Sequence, residues 1–359
     1  MSQNGATGMA TVLDVAKLAG VSTATAARAL GGYGSVSPAT LQRVQAAAAE
    51  LGYRPNALAR SMITGLTHTV GIVLADIENP FFYGALRGIT DTARSEGFDV
   101  LLANTDEDPA HEHNAIAALV ERRVEGLILC PTDGESRAHL SSLIESGMPI
   151  VLLDRSMRGL KADSVGLDNR HAAADATRHL IELGHRRIGI ITGGPPEAEA
   201  SLRRPMMKSV EQIGNTTFPA RAAGFRDAML AAGIEPRREY LSAAGFHRHE
   251  AEAATSELMQ LAEPPTAIIA FDSILALGAL LAFRQLGLRC PEDVSLVGFD
   301  DAEWAEVVSP PLSVVRQPVY DIGAKACRLL LDRIKNPERK PSSYRMKGTF
   351  IERESTAPV

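Results

Sequence analysis

The chain has 359 residues, of which 45% are apolar and 22% charged, with a formal charge of −6. At roughly 150 residues per domain, this length predicts about two domains and an extra module. The apolar fraction is enough for a sizeable core and excludes global disorder.

No run of about 18 apolar residues occurs, so nothing is expected to span a membrane. The opening stretch MSQNGATGMA has no basic n-region and no apolar h-region, which predicts a cytoplasmic chain. Cys130, Cys290 and Cys327 are far apart and odd in number. They suit reduced, buried thiols better than disulfides or a zinc site. The charge is unevenly spread. Residues 1–60 hold Lys17, Arg28, Arg43, Arg54 and Arg60 against Asp14 and Glu50, a surplus of three cations that leaves −9 for the remainder. A basic head on an acidic body suggests a nucleic-acid contact confined to the head.

In chain order, TVLDVAKLAGVS reads as a short helix. Thr11 is its N-cap, Asp14 completes a capping box, Val12, Val15, Ala16 and Ala19 form an apolar face, and Gly20 ends it. Ser22 then caps a second helix that starts at Thr23. Two short helices joined by a tight glycine turn predict a helix-turn-helix. Its second helix, STATAARAL, is small and nearly bare, as entry into a major groove about 12 Å wide requires. Thr23 and Ala24 are placed to touch base edges, Thr25 a phosphate, and Arg28 a guanine. A third helix follows in SPATLQRVQAAAAELGY, with Ser37 as N-cap, Pro38 at its first position and Gly52 as its stop. RPNALARSMITG, carrying Arg54 and Arg60, is too short for a stable isolated helix, and is expected to fold only on DNA.

The body alternates apolar strands with helical stretches. TVGIVLA, FDVLLAN, GLILC and IVLLD come first, and RIGIIT, TAIIAF and VSLVGF repeat the scheme after residue 185. Near-continuous Val/Ile/Leu strands joined by helices predict parallel sheets covered on both faces. Two such sets predict two doubly wound lobes with a ligand cleft at the strands' C-terminal ends.

DVAKLAGVSTATAARAL, ELGYRPNALARSM, DIENPFF, GLILC, PIVLLDR, ELGHRRIGIITG, RAAGFRDAM, PEDVSLVGFDD and PPLSVVRQP, in that order, carry a resemblance. From about residue 10 to residue 356 the chain resembles the lactose-repressor/galactose-repressor (LacI/GalR) family of bacterial transcription regulators. The resemblance implies a small all-α helix-turn-helix DNA-binding head and an α/β core of the periplasmic-binding-protein type I fold, with two doubly wound parallel-sheet lobes. It places the DNA-binding domain at residues 10–54 and a hinge helix and linker at 55–68. It places one lobe at 69–168 plus 317–346 and the other at 169–316 plus 347–359, with crossings near residues 168, 316 and 346.

Carried over residue by residue, the resemblance implies DNA contacts from Thr23, Ala24, Thr25, Arg28, Asn56, Ala59, Arg60 and Met62. Met62 stands where a leucine usually wedges into the minor groove, a role a methionine can fill. Effector contacts fall on Phe81, Phe82, Asp154, Arg221, Phe246, Asp272 and Asp300, with the aromatics read as stacking surfaces or as core. The chain departs from the family at Ala26-Ala27 and Gly31, where Val-Ser and Asn are usual, so DNA affinity or the operator is expected to differ. Asp272-Ser273 replace a common Asn-Asp. About 12–18 residues look inserted between about 199 and 219, a length expected of a functional lid or an unstructured connection.

The resemblance implies a homodimer, a pseudo-palindromic double-stranded operator and a small-molecule effector. The aromatic pair with carboxylates favours a sugar or polyol over a purine. A repressor controlled allosterically by that molecule is the expected function, acting in the cytoplasm at the nucleoid, with no cofactor and no metal. An activator of the same family, a solute-binding protein and a sugar-processing enzyme are the alternatives. HEH at 111–113 and HRH at 247–249 read as solvated helix starts, because no Cys or carboxylate set completes a closed metal site.

Overall fold

The computed structural model describes residues 10–31, 34–53, 65–132, 138–157, 159–194 and 217–359. The chain divides into two compact units, residues 1–68 and 69–359.

The first unit is three helices: α1 (Val12–Ala19), α2 (Thr23–Gly31) and α3 (Pro38–Glu50). Local chemistry sets their ends. Thr11 and Asp14 form the capping box of α1, and Gly20 closes it in the left-handed conformation at φ 63°. Ser22 Oγ accepts from Thr25 N (3.1 Å), and Ser37 Oγ from Thr40 N (3.3 Å). Val15, Ala16, Ala26, Val44 and Ala47 close around one another as a small core. The alanines of α2 therefore divide, with Ala26 and Ala29 packing inward while Thr23 and Ala24 are exposed.

The second unit contains two six-stranded sheets. The first has strand order β11-β5-β4-β3-β1-β2, comprising β1 (Thr69–Leu74), β2 (Asp99–Asn104), β3 (Leu127–Leu129), β4 (Ile150–Leu153), β5 (Asp163–Leu167) and β11 (Ser343–Met346). The second has order β12-β10-β9-β8-β6-β7, comprising β6 (Ile188–Thr192), β7 (Leu241–Ala243), β8 (Ala267–Ala270), β9 (Ser295–Phe299), β10 (Ser313–Arg316) and β12 (Thr349–Ile351). Every pairing is parallel except that of β10 with β12. The central strands are buried along their whole length except at Thr69, the first residue of β1, as sheets covered on both faces require. The chain passes to the second sheet after β5, returns after β10 and crosses again between β11 and β12.

Helices α4 (Pro80–Ser95), α5 (Pro109–Glu121), α6 (Ala138–Glu145) and α11 (Val319–Lys335) belong to the first lobe. Helices α7 (Asn169–Glu182), α8 (Thr217–Ala231), α9 (Arg248–Met259) and α10 (Ser273–Leu286) belong to the second. Helices α4 and α11 meet backbone to backbone. A Cβ on Gly88 would overlap the Tyr320 carbonyl oxygen, and one on Gly323 the Ala85 carbonyl oxygen, so only glycine admits this approach.

Two expectations change. In HEH, Glu112 is not solvated. It is 3% exposed and accepts from Thr132 N (2.7 Å), Thr132 Oγ1 (3.0 Å) and His139 Nε2 (3.2 Å), anchoring the segment after β3. The expected insertion lies mostly outside the described residues, and its last residues, from Thr217, are helical in α8. Of the thiols, Cys130 and Cys327 are buried and Cys290 half-buried, all free. Among the described residues no helix is long and apolar enough to cross a membrane.

Candidate functional site

In the first unit, Thr23, Ala24 and Arg28 are exposed on α2. Thr25 is half-buried, and its hydroxyl lies 2.8 Å from Ser22 Oγ and accepts from Arg28 Nη2 at 3.4 Å. A short polar relay thus holds the Arg28 guanidinium back over the first turn of its own helix. That helix presents small side chains and one cation, the surface a major groove admits. Asn56, Ala59, Arg60 and Met62 lie outside the described residues.

The second site is the cleft of the core. Asp154 follows β4 and Asp300 follows β9, and both adopt the left-handed conformation, at φ 62° and 67°. The backbone N–H of each binds the neighbouring strand, Asp154 N to Val165 O (2.8 Å) and Asp300 N to Val315 O (3.0 Å). Equivalent strand ends of the two lobes therefore present a carboxylate each. Thr217 Oγ1 donates to Asp154 Oδ2 (2.9 Å), a bond from the second lobe to the first. Gln317 Nε2 donates to Asp300 Oδ1 (2.5 Å) from the segment where the chain crosses back. Asp154 Oδ1 and Gln317 Oε1 are buried and have no hydrogen-bond partner among the described residues.

Asp272 ends the loop after β8 and caps α10, its Oδ1 accepting from Leu275 N (2.8 Å). Burial pushes its carboxyl up to about 7, with Asp300 adding to the effect and the backbone donors and Arg221 opposing it. Burial also raises Asp300, against Arg221 and Gln317. Arg221, 2% exposed, extends from α8 among these acids. Its Nε donates to Asn169 Oδ1 (2.8 Å), its Nη1 donates to the Phe271 carbonyl oxygen, and its Cζ lies 4.1 Å from the Phe299 ring centre.

Phe81 and Phe82 pack edge to face at 5.2 Å and belong to the core of the first lobe, yet both also line the cleft. They are at once core residues and part of the cleft wall. Phe246 is half-buried, 6.4 Å from Phe218 and 6.0 Å from Arg155 Cζ. The cleft hollows are about 230 Å³ and about 40 Å³ and share Phe81, Asp300 and Gln317.

The structure thus brings Phe81, Phe82, Asp154, Arg221, Asp272 and Asp300 to one cavity, with Phe246 at its margin. Sequence reasoning missed Asn79, Arg155, Thr217, Phe218 and Gln317 in the lining. Arg155 and Gln317 sat inside quoted motifs, PIVLLDR and PPLSVVRQP, whereas Thr217 was hidden in the apparent insertion. Arg155 is held by Glu107 (2.6 and 2.5 Å) and by the Pro131 carbonyl (3.1 Å), so its charge is already matched. Among the described residues no three His, Cys, Asp or Glu side chains converge as metal ligands.

Residues 11–56 match the description "Bacterial regulatory proteins, lacI family", and residues 177–356 match "Periplasmic binding protein-like domain". The chain is 31% identical over 347 residues to the HTH-type transcriptional repressor PurR of Aliivibrio salmonicida, covering 97% of this chain and 99% of that one. The chain belongs to the LacI family. Among solved structures, a complex of the transcriptional regulator CelR with cellobiose is similar at 32% identity and TM-score 0.70, covering 96% of this chain and 99% of that one. A LacI family regulator from Enterococcus faecium with bound ribose is similar at 30% identity and TM-score 0.67, covering 81% and 99%. As a LacI family member this chain is a DNA-binding transcriptional repressor whose core takes a small-molecule effector, and the expected family and fold class are those found. Its curated relatives are repressors rather than enzymes.

Proposed function

We propose that the effector is a single-ring sugar, best an aldopentose, held between the two lobes. The observation that carries this is the pair of buried acceptors without a partner among the described residues, Asp154 Oδ1 and Gln317 Oε1, beside Asp300 and the Phe81–Phe82 wall. Unpaired buried acceptors call for ligand donors, and a polyol brings several hydroxyls in a small volume. The hollows are smaller than the roughly 300 Å³ at which drug-sized pockets begin, which supports one ring over two. The ribose-bound relative supports the same reading and the cellobiose complex bounds it. Calorimetric titration with aldopentoses, aldohexoses, cellobiose and purines tests it. Aldopentoses are expected to bind tightest, and purine binding alone would overturn the reading.

At the operator, Thr23, Ala24 and Arg28 of α2 read the major groove, Thr25 supports Arg28, and Asn56, Ala59, Arg60 and Met62 serve the hinge and minor groove. The protein acts in the cytoplasm as a homodimer on a pseudo-palindromic site. A hollow of about 770 Å³ beside α10, lined by Leu277, Leu280, Leu281, Leu288 and Val308 together with Arg284, Arg289, Glu292 and Glu354, is the surface offered to the second copy. Selection of bound DNA from a random library, repeated with Arg28→Ala, tests the head. The expected result is a palindrome whose guanine preference weakens about 10–100-fold in the variant. An unchanged preference would remove Arg28 from the reading.

A further inference from the structure

Three carboxylates share the cleft. Asp154 comes from the end of β4, Asp272 from the cap of α10 and Asp300 from the end of β9, and none is more than 9% exposed. Among the described residues two cations line the same space, Arg155 and Arg221. Arg155 is matched by Glu107 and Arg345 acts on Asp154, which leaves Arg221 for Asp272 and Asp300. A surplus of buried negative charge is strongly disfavoured, and such groups relieve it by taking up a proton. The three acids differ in their partners. Asp154 receives the Thr217 hydroxyl and Asp300 the Gln317 amide with the Ser273 backbone N–H, whereas the hydrogen bonds to Asp272 come only from backbone N–H groups at the start of α10. Asp272 is thus the one of the three with no side-chain donor among the described residues. Burial also raises its carboxyl, to about 7.

A sugar needs donors as well as acceptors around it. Acceptors are abundant at Asp154 Oδ1, Asp300 and Gln317 Oε1. Donors are scarcer, because Arg221 commits Nε to Asn169 and Nη1 to the Phe271 carbonyl oxygen. A carboxylic acid supplies one more donor.

Resting on the sugar reading above, we propose that Asp272 enters the complex as a neutral carboxylic acid donating to an effector oxygen, so that effector binding takes up a proton. An asparagine at this position would present an N–H at any pH. Asp272 presents its O–H only when protonated, which makes it the residue that ties effector recognition to proton concentration.

The groups facing Asp272 are few. Asp300 and Arg221 act on it from the second lobe, and Asp154 with the Arg155–Glu107 pair lies across the cleft. At the start of α9, which packs against α10, the titratable groups are His247, Arg248, His249 and Glu250. Glu250 Oε2 accepts from His247 N (3.0 Å), and the two imidazoles stack at 5.7 Å.

The test is calorimetry of the whole protein with D-ribose, D-xylose and L-arabinose in phosphate and in Tris, whose ionisation heats differ. At pH 7.5 the buffer dependence should report uptake of about 0.7 proton per site, and the dissociation constant should rise about tenfold from pH 6 to pH 8. Asp272→Asn should lose both the uptake and the pH dependence, whatever its affinity. His247→Asn should retain both. Binding by the wild type with no proton taken up, or with release, overturns this inference and leaves the sugar reading standing. So does a pH dependence that survives Asp272→Asn. Heat from none of the three sugars removes the aldopentose reading and this inference together.

Discussion

The two lobes of the core share one topology and divide the work of the cleft unequally. Each ends a central strand with an aspartate at positive φ, bonded through its N–H to the next strand. Around Asp154 the first lobe places Phe81, Phe82 and an arginine already matched by Glu107. Around Asp300 the second lobe places Asp272 and Arg221, all buried, with both acids raised by burial. The repeated backbone fixes where the two aspartates emerge, while the neighbouring side chains differ: the first lobe sets Phe81, Phe82 and a matched arginine beside its acid, the second a further acid and Arg221. Buried charge of this kind is held against its own desolvation by the surrounding fold.

Substitutions that strip one lobe or the other should separate these roles. Arg221→Met should have the largest effect. It removes the counter-charge of three acids, and a loss of about 3–5 kcal/mol in denaturant unfolding of the core is expected, with the effector response abolished. Asp272→Asn should act in the opposite direction. The folded-state value of Asp272, about 7, lies above its ordinary 3.8. The folded protein therefore binds more protons between those limits, and stability falls as pH rises through that window. The amide should stabilise by about 2–4 kcal/mol at pH 8 and by little at pH 4, read from thermal unfolding at both pH values. Equal effects at the two pH values would show that the charge is not the cause.

In the first lobe, Glu107→Gln leaves the buried Arg155 half-matched, and a loss of about 1–3 kcal/mol is expected by the same denaturation measurement. A larger loss than that of Arg221→Met would reverse the comparison between the lobes. Thr217→Val breaks the hydrogen bond that spans the cleft, for about 1 kcal/mol. Its clearer signature should be a more open core in solution scattering, and unchanged scattering would reduce the Thr217–Asp154 bond to a local contact.

Much of this was legible in the sequence because its determinants are local. Thr11 with Asp14, Gly20, and Ser37 with Pro38 are short-range caps and breakers, and all lie where their chemistry predicts. The apolar strands announced themselves by composition. Strands β5 (DSVGL), β7 (LSA) and β11 (SYRM) did not, because they are short or polar and exist through pairing with distant segments. The cleft followed the same rule. Asp154, Asp272 and Asp300 could be placed from motifs at strand ends, but the neutralisation of Arg155 depends on Glu107, 48 residues away in sequence. Glu112 looked like part of a wet helix start, since only the fold turns it toward Thr132 and His139.

The strand β11 and the acid it helps to cover also fix a timetable. Asp163, fully buried at the start of β5, receives Arg333, Arg339 and Ser342, the first of them 170 residues later in the chain. On the ribosome, β1 to β5 emerge before any of these partners, and β6 to β10 are made in between. The first lobe begun is thus left with an unmatched acid and an unclosed sheet edge until the second is nearly finished. The two lobes are therefore completed together rather than one after the other.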